Sequence, residues 1–307
     1  MTTSESPSVS SASRRHGRGP VAVEAAAVRG TILFGALFRD TAEECPDTVV
    51  LAITGIHGNF YSNPFYVDFG AAVNAAGAHF VYAQTCDAFG EIPTRNIRTG
   101  LPETAGSWNE RFAWAEEDVA AWVDWAAARG YRRILLAGHS LGANKVIRFL
   151  SARPDPRVER FLLLSPANVR HLAAQASEAE RVLVRRRIAE GRGDERLPFE
   201  LFGWIPCIAD TAGDWLFTDM LDNVHPEPDG DFSQVARIGT PGTMLIGSLD
   251  VFAGGEPAAF LHNLASHFPE PSRNRLVIIP GTGHTYQGKA REVALAVADI
   301  VHDRKRG

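Results

Sequence analysis

The sequence predicts an α/β fold with a mostly parallel central sheet flanked by helices. Short, almost wholly apolar runs alternate with amphipathic segments of helical period, which is typical of buried parallel strands joined by helices. One such run turns straight into a helix at a Gly-x-Ser-x-Gly motif centred on Ser140. The alternation stops near residue 168 and resumes near 237. We therefore predict a core of residues 21–167 and 237–307, interrupted after the sixth strand by a largely helical cap at 168–236.

The first half of the chain carries six predicted strands. A tight turn at Arg29-Gly30 separates the first two, so we expect them to form an antiparallel hairpin. The polar stretch 85–107 has neither strand nor helix period and predicts a long loop. The predicted strands are 21–28, 31–38, 48–54, 79–84, 134–137 and 158–164. The predicted helices are 65–76, 112–129 and the segment that begins at 141.

The composition changes after the sixth strand. Residues 169–192, rich in Arg and Glu, predict one helix, and 197–221 is loop-like. Large aromatic side chains in this region need burial, and the mouth of a pocket would provide it. The alternative is that they pack only within the cap. They are Phe199, Phe202, Trp204, Trp215 and Phe217. Beyond the cap, the strands 242–246 and 276–279 and the helices 257–268 and 288–301 are predicted.

Composition excludes several classes of partner. Of the 307 residues, 45% are hydrophobic and 22% charged, as in an ordinary globular protein. The formal net charge of −5 gives no reason to expect nucleic acid or an anionic membrane. No apolar run has the length of a transmembrane helix. We expect a small-molecule substrate, and the sequence does not indicate an oligomeric state.

The N-terminal segment and the cysteines bear on the cellular location. Residues 1–20 are Ser-rich and then basic, which predicts a disordered tail. A twin-arginine export signal is the alternative, but Glu24 and Arg29 interrupt the apolar region that it needs. The cysteines are odd in number and far apart, so we expect no disulfide framework and a cytoplasmic protein. They are Cys45, Cys86 and Cys207.

The motif around Ser140 predicts a nucleophile. A strand that turns directly into a helix holds the middle residue in a sharp turn, and flanking glycines leave room for it. The backbone N–H of Leu141 then lies beside the hydroxyl at a helix N-terminus, as the first donor of an oxyanion hole. A His57-Gly58 pair follows the third strand, and we expect the second donor at Asn59, with Phe60 as the alternative. For His57 itself we expect hydrogen bonds that anchor this loop.

A serine nucleophile needs a base and a carboxylate that orients the base. In a parallel sheet of this kind, each follows the end of a strand, in the order serine, acid, histidine. Asp250 follows the strand after the cap, and His284 follows the last strand. A competing place for the acid, after the sixth strand, ends at Asn168 and has no carboxylate. The sequence therefore predicts a triad of Ser140, Asp250 and His284.

These residues resemble those of the α/β-hydrolase superfamily, over roughly residues 21–303. Three segments of the chain are similar to a branch of this superfamily that includes siderophore-ester hydrolases and proteins of unassigned substrate. They are Gly-His-Ser-Leu-Gly-Ala-Asn-Lys-Val, Leu-Leu-Ser-Pro-Ala-Asn and Gly-His-Thr-Tyr-Gln-Gly-Lys. The resemblance implies that Ser140, Asp250 and His284 fall on the triad positions. The same triad serves esters, thioesters, amides and carbon–carbon bonds, so the fold does not determine the reaction.

We expect a serine hydrolase that cleaves an ester of a small to medium organic substrate through an acyl-enzyme. The alternatives are a thioesterase, a carbon–carbon bond hydrolase, a biosynthetic lyase or cyclase, and a ligand receptor. No metal or dinucleotide is implied, because His-Glu-x-x-His, paired cysteines at zinc spacing and Gly-x-Gly-x-x-Gly in a βαβ unit are absent from the sequence. For substrate binding we expect Phe60 and Tyr61 on one wall and Trp204 and Trp215 of the cap on the other.

Overall fold

The computed structural model describes residues 19–41 and 46–302, so Cys45 and nearly all of the predicted tail lie outside the described residues. The helices and strands of these residues follow in chain order. The strands are β1 (Val21–Ala26), β2 (Ile32–Phe38), β3 (Thr48–Ile53), β4 (His79–Ala83), β5 (Ile92–Arg95), β6 (Pro102–Ala105), β7 (Arg133–His139), β8 (Val158–Leu164), β9 (Arg196–Leu201), β10 (Ile205–Ile208), β11 (Gly242–Gly247) and β12 (Arg275–Ile279). The α-helices are α1 (Phe65–Ala75), α2 (Ala115–Ala128), α3 (Leu141–Ala152), α4 (Val169–Ala173), α5 (Glu178–Ala189), α6 (Ala209–Phe217), α7 (Pro257–Ser266) and α8 (Ala290–His302).

The central sheet of the described residues has eight strands in the order β1-β2-β4-β3-β7-β8-β11-β12. The pairs β1–β2 and β2–β4 are antiparallel, and every other pair is parallel. The predicted opening hairpin and the predicted mostly parallel sheet are both confirmed. The carboxyl ends of β3, β7, β11 and β12 consequently meet at one edge of the sheet.

Two apolar layers cover the faces of this sheet. Along β3, Leu51 points into the layer shared with α2, α3 and α7, whereas Val50 points into the layer shared with α1 and α8. Every residue of β3 is buried, which explains why its sequence has no polar alternation. A fully buried Val or Leu side chain contributes about 1.5–3 kcal/mol to folding, so the two layers hold the strand ends in place.

Three segments differ from the predictions made for them. The stretch 85–107, predicted as a loop, contains the antiparallel β5–β6 hairpin. The stretch 169–192 forms two helices, because Ser177 begins α5 with a capping box that includes Glu180. The stretch 197–221, predicted as loop, forms the β9–β10 hairpin and α6. Residues 168–236, all of them described, therefore combine helices with a hairpin, whereas a largely helical segment was predicted.

Candidate active site

Ser140 lies in the turn between β7 and α3 with an uncommon backbone conformation. Its φ is 56° and its ψ is −130°, a conformation that a residue with a side chain rarely adopts. A Cβ on Gly138 would lie 2.3 Å from the carbonyl oxygen of Gly142, and a Cβ on Gly142 would lie 2.5 Å from that of Ile53. The two glycines are therefore required by this turn, as the motif predicted.

His284 and Asp250 form a close pair beside this turn. Nδ1 of His284 lies 3.0 Å from Oδ1 and 2.9 Å from Oδ2 of Asp250. Burial acts to raise the pKa of Asp250, but hydrogen bonds from His284, Ser165 and the N–H of Phe252 outweigh it, and the pKa lies below its ordinary value. The carboxylate is thus charged at neutral pH and is placed to accept the Nδ1 proton, the arrangement that in a neutral imidazole directs the Nε2 lone pair away from Asp250.

His139 supports the loop that carries His284. Its Nε2–H donates to the carbonyl oxygen of His284 at 2.9 Å, and the two rings lie 5.0 Å apart. Burial lowers the pKa of His139 to about 3, so it remains neutral and cannot compete for the charge of Asp250. No role for His139 was predicted from the sequence, although its place in the motif beside Ser140 is a signal that could have indicated one.

The assignment of an oxyanion donor to Asn59 is wrong. Its backbone N–H donates to the carbonyl oxygen of His57 at 3.0 Å, and its side-chain oxygen accepts from the N–H groups of Tyr61 and Ser62. The N–H of Asn59 is therefore already hydrogen-bonded within the loop. The alternative, Phe60, packs into the apolar core against Tyr82, with ring centroids 4.2 Å apart, and does not line the cavity at Ser140.

Ile56 lines the cavity at Ser140, whereas Asn59 does not. A Cβ on the preceding Gly55 would lie 2.7 Å from Cβ of Ser140 and 3.2 Å from N of Leu141, so the backbone passes directly beside the elbow. Both Ile56 and Leu141 line the cavity at Ser140. Neither N–H forms a hydrogen bond with another described residue. The signal in the sequence was Gly55, the first glycine after β3.

His57 anchors the loop, as expected from the sequence. Its Nε2 lies 2.7 Å from Oγ of Ser107, and its backbone N–H donates to the carbonyl oxygen of Asp87 at 2.9 Å. Burial lowers the pKa of His57, which favours the neutral ring. With φ at 55°, it is a second residue of the site that holds a left-handed backbone conformation.

One cavity of about 210 Å³ brings these elements together. Ser140 and His284 line it, together with apolar side chains from the core and from residues 168–236. Trp204 and Trp215 both line it, as predicted for the cap. Phe60 and Tyr61, predicted as the opposite wall, do not line it, because Phe60 is partly buried against the core and Tyr61 is 93% exposed. The remaining apolar lining comes from Ile56, Leu141, Ala167, Leu172 and Phe252.

Other features of the site concern metals, thiols and membranes. Among residues 19–41 and 46–302, no three His, Cys, Asp or Glu side chains are grouped as a metal site requires. Cys86 and Cys207 are buried, and neither forms a disulfide in this part of the chain. In the same ranges, no helix combines the length and the apolar character needed to cross a membrane.

Comparison with known proteins identifies the family. A model described as "Alpha/beta hydrolase family" matches residues 55–297. No curated protein matches the chain. Solved structures that resemble it include DcsB in complex with its substrate analogue, at 16% identity over 94% of this chain and 100% of that one, with a TM-score of 0.66.

Two further structures have names that state an activity or a ligand. Est1E from Butyrivibrio proteoclasticus with bound ferulic acid is 17% identical over 92% of this chain and 98% of that one, with a TM-score of 0.63. A monoacylglycerol lipase from Paleococcus ferrophilus is 16% identical over 88% and 98%, with a TM-score of 0.58. At such identities these structures establish the fold alone. Because the family model covers well over half of its length, the chain belongs to the alpha/beta hydrolase family.

Proposed function

We propose that the protein is a serine hydrolase that cleaves an ester bond of a small to medium organic substrate through an acyl-enzyme. The observation that carries this proposal is one cavity that contains Ser140 at a strained elbow and His284 held by the charged Asp250. The monoacylglycerol lipase among the structures of similar fold supports an ester as the bond cleaved. We also propose a cytoplasmic location and a small-molecule substrate, with neither nucleic acid nor membrane as a partner.

The reaction follows from the order of groups in the cavity. Oγ of Ser140 attacks the ester carbonyl carbon, and Nε2 of His284 takes the hydroxyl proton. Asp250 stabilises the imidazolium that forms. The N–H groups of Ile56 and Leu141 donate to the oxyanion of the tetrahedral intermediate. The C–O bond then breaks, the alcohol leaves with the proton from His284, and water repeats the sequence on the acyl-enzyme to release the acid.

The size and lining of the cavity support a small apolar group beside Ser140. A volume of about 210 Å³ lies below the range of roughly 300–1,000 Å³ that encloses drug-sized ligands. Its apolar lining from Ile56, Leu172, Trp204 and Trp215 favours a short acyl group over a charged one. The rest of a larger substrate would lie outside the cavity.

The experiment compares the parent with Ser140→Ala on p-nitrophenyl acetate and with a fluorophosphonate probe. We expect stoichiometric labelling of the parent at Ser140, and a loss of about a millionfold in kcat in the variant because the nucleophile is absent. Ser151→Ala is the matched control, since Ser151 lies on the same helix and its hydroxyl bonds only the carbonyl oxygen of Arg148. If Ser140→Ala cleaved the ester as fast as the parent, the assignment of Ser140 would be wrong. Folded parent that resists the probe would contradict the proposal and favour a ligand receptor.

A further inference from the structure

Lys145 is an ammonium group with no access to solvent, five residues after the nucleophile. Its Nζ lies 2.8 Å from Oδ1 of Asp87 and 2.6 Å from Oε1 of Glu110, and all three side chains are buried. We call these three residues the buried triad. Burial alone lowers the pKa of Lys145, but Asp87 and then Glu110 outweigh it and hold the pKa above its ordinary value. The lysine is therefore charged, although the reaction described above does not use it.

The buried triad reaches the oxyanion loop, residues 54–59, through Asp87. Oγ1 of Thr85 donates to Oδ1 of Asp87 at 2.5 Å, and Lys145 also donates to that Oγ1 at 3.2 Å. The carbonyl oxygen of Asp87 accepts the N–H of His57 at 2.9 Å. Only one peptide unit separates that N–H from Ile56. The position of Asp87 thus determines where the loop lies beside Ser140.

The loop needs such support because its conformation is unfavourable by itself. His57 has a φ of 55°, and a residue with a side chain holds that conformation only when its surroundings impose it. The N–H of Thr85 also donates to Oγ1 of Thr54 at 3.3 Å, so residues 85–87 contact the loop on both sides of Ile56. Lys145 is the cation that pairs with Asp87 in this segment.

Glu110 connects the buried triad to a different part of the molecule. Its carbonyl oxygen accepts the hydroxyl of Thr211 in α6 at 2.8 Å, and its carboxylate bonds Lys145. No hydrogen bond joins Glu110 to residues 54–59 in the described structure. The influence of Lys145 on the loop therefore passes through Asp87, and replacement of the Glu110 carboxyl group leaves that connection intact.

We propose that Lys145 is a positioning residue for the oxyanion hole: by holding Asp87 it holds His57 and so presents the N–H of Ile56 to the oxyanion. This inference rests on the serine-hydrolase reaction proposed above. Because an oxyanion donor acts on the transition state more than on bound substrate, its misplacement lowers kcat more than it changes KM. Loss of a residue that only stabilises the fold would not lower kcat while leaving KM nearly unchanged.

The test is Lys145→Met, which removes the ammonium group and keeps an unbranched chain. Deletion of one oxyanion donor typically costs about 100- to 1,000-fold in kcat, and we expect about 100-fold with KM within about threefold. A boronic acid, whose adduct with Ser140 is tetrahedral and negatively charged, should lose affinity to a similar extent. Deuterium uptake in the peptide that covers 54–60 should rise, since the hydrogen bond at His57 is weakened.

Two control variants distinguish the effect of losing an ion pair from the effect of displacing the oxyanion loop. Arg133→Met removes an ion pair with Glu159 (2.9 Å) at the opposite end of β7 and should leave kcat and loop uptake unchanged. Glu110→Gln keeps the contact of Lys145 with Asp87 and should leave kcat within about threefold of the parent. If Lys145→Met does not fold, Thr85→Val removes one hydroxyl ligand of Asp87 and should cause a smaller change of the same kind.

The outcomes are distinct. Folded Lys145→Met with parental kcat and parental uptake at 54–60 would overturn the inference, as would parental values in Thr85→Val where the lysine variant is unfolded. A fall in kcat with unchanged affinity for the boronic acid would also overturn it, because the oxyanion hole would then be intact. If the parent itself neither cleaves esters nor reacts with the fluorophosphonate, the proposed function fails. The uptake measurement still decides whether Lys145 holds the loop.

Discussion

At the scale of the residue, the charged carboxylate of Asp250 lies against Nδ1 of His284. Asp250 is 1% exposed, a position in which a carboxyl group without partners would become neutral. Hydrogen bonds from His284, Ser165 and Phe252 instead lower its pKa. A carboxyl group with a lowered pKa contributes stability above its unfolded value of about 3.9, and this contribution is lost as the pH falls through the folded value. Asp250 is therefore ionised at neutral pH.

Asp250→Asn should lower kcat for p-nitrophenyl acetate by about ten-thousandfold, because an amide can donate to Nδ1 and leave the proton on the wrong nitrogen of His284. Asp222→Asn is the control: this acid is buried and pairs with Arg170 at 3.1 Å, away from the triad. Steady-state kinetics at neutral pH measure both variants. If Asp250→Asn kept parental kcat, Asp250 would not be the acid of the triad.

At the scale of the element, α6 closes the active-site cavity. Its Trp215 is 2% exposed and is held edge-on by Phe112 and Phe202, with ring centroids 5.0 and 5.5 Å away. The same side chain also lines a second hollow of about 380 Å³, which Val169, Arg181 and Phe217 border from the other side. Trp215 therefore borders both spaces, and we expect it to act as a partition between them that limits the length of the group beside Ser140.

Trp215→Ala should join the two spaces and raise kcat/KM for an octanoate ester over an acetate ester by about tenfold. This corresponds to burial of about two further methylene groups at roughly 0.8 kcal/mol each, since about 1.4 kcal/mol is a factor of ten. It should also cost about 3–5 kcal/mol of stability. A chain-length series of p-nitrophenyl esters measures the preference.

Trp125→Ala is the matched control for this change. Trp125 is 5% exposed and packs on Trp122 within α2, remote from the cavity. It should lose similar stability and keep the parental preference for chain length. The same preference in Trp215→Ala as in the parent would show that the partition does not select the substrate. Trp204→Ala should lower the free energy of unfolding by less than Trp215→Ala does, because Trp204 is 36% exposed.

At the scale of the whole molecule, the buried triad adds a dependence of stability on pH. Burial and the charge of Asp87 raise the pKa of Glu110 to about 8, although Lys145 opposes the shift. A raised carboxyl pKa means that the folded state keeps a proton which the unfolded chain releases near pH 4.3, about its unperturbed value. Stability from this group is thus complete below that pH and is lost as the pH rises towards about 8.

Glu110→Gln should flatten the decline in stability between pH 5 and pH 8, because glutamine does not titrate. The group removed contributes at most about 1.4 kcal/mol per pH unit. Urea unfolding at several pH values measures the slope, and Glu24→Gln, which alters an exposed pair with Arg95, should leave it unchanged. An identical slope in Glu110→Gln and the parent would contradict the raised pKa.

Local patterns were sufficient for much of this molecule. Apolar runs located the strands of the central sheet. A strand that is buried on both faces is apolar along its length, so it can be recognised without knowledge of its neighbours in the sheet. The elbow at Ser140 was equally readable, since two glycines and a strand-to-helix turn are adjacent in the chain. Asp250 and His284 followed from their order after successive strands, and the structure brings them together. The hairpins β5–β6 and β9–β10 were missed, because their strands are only four to six residues long and each contains a proline, which weakens the strand pattern.

What only the tertiary structure decided depends on contacts between distant segments. The sequence alone determined the sheet, the elbow and the order of Ser140, Asp250 and His284, since each is written in residues close together or in the succession of strands. It placed the second oxyanion donor at Asn59, whereas the structure has Ile56 beside Ser140. That choice depends on a loop held by Asp87, about thirty residues away, and on a lysine beyond it. Burial and charge pairing across such separations leave no periodic signal in the chain, because they arise only when the segments pack.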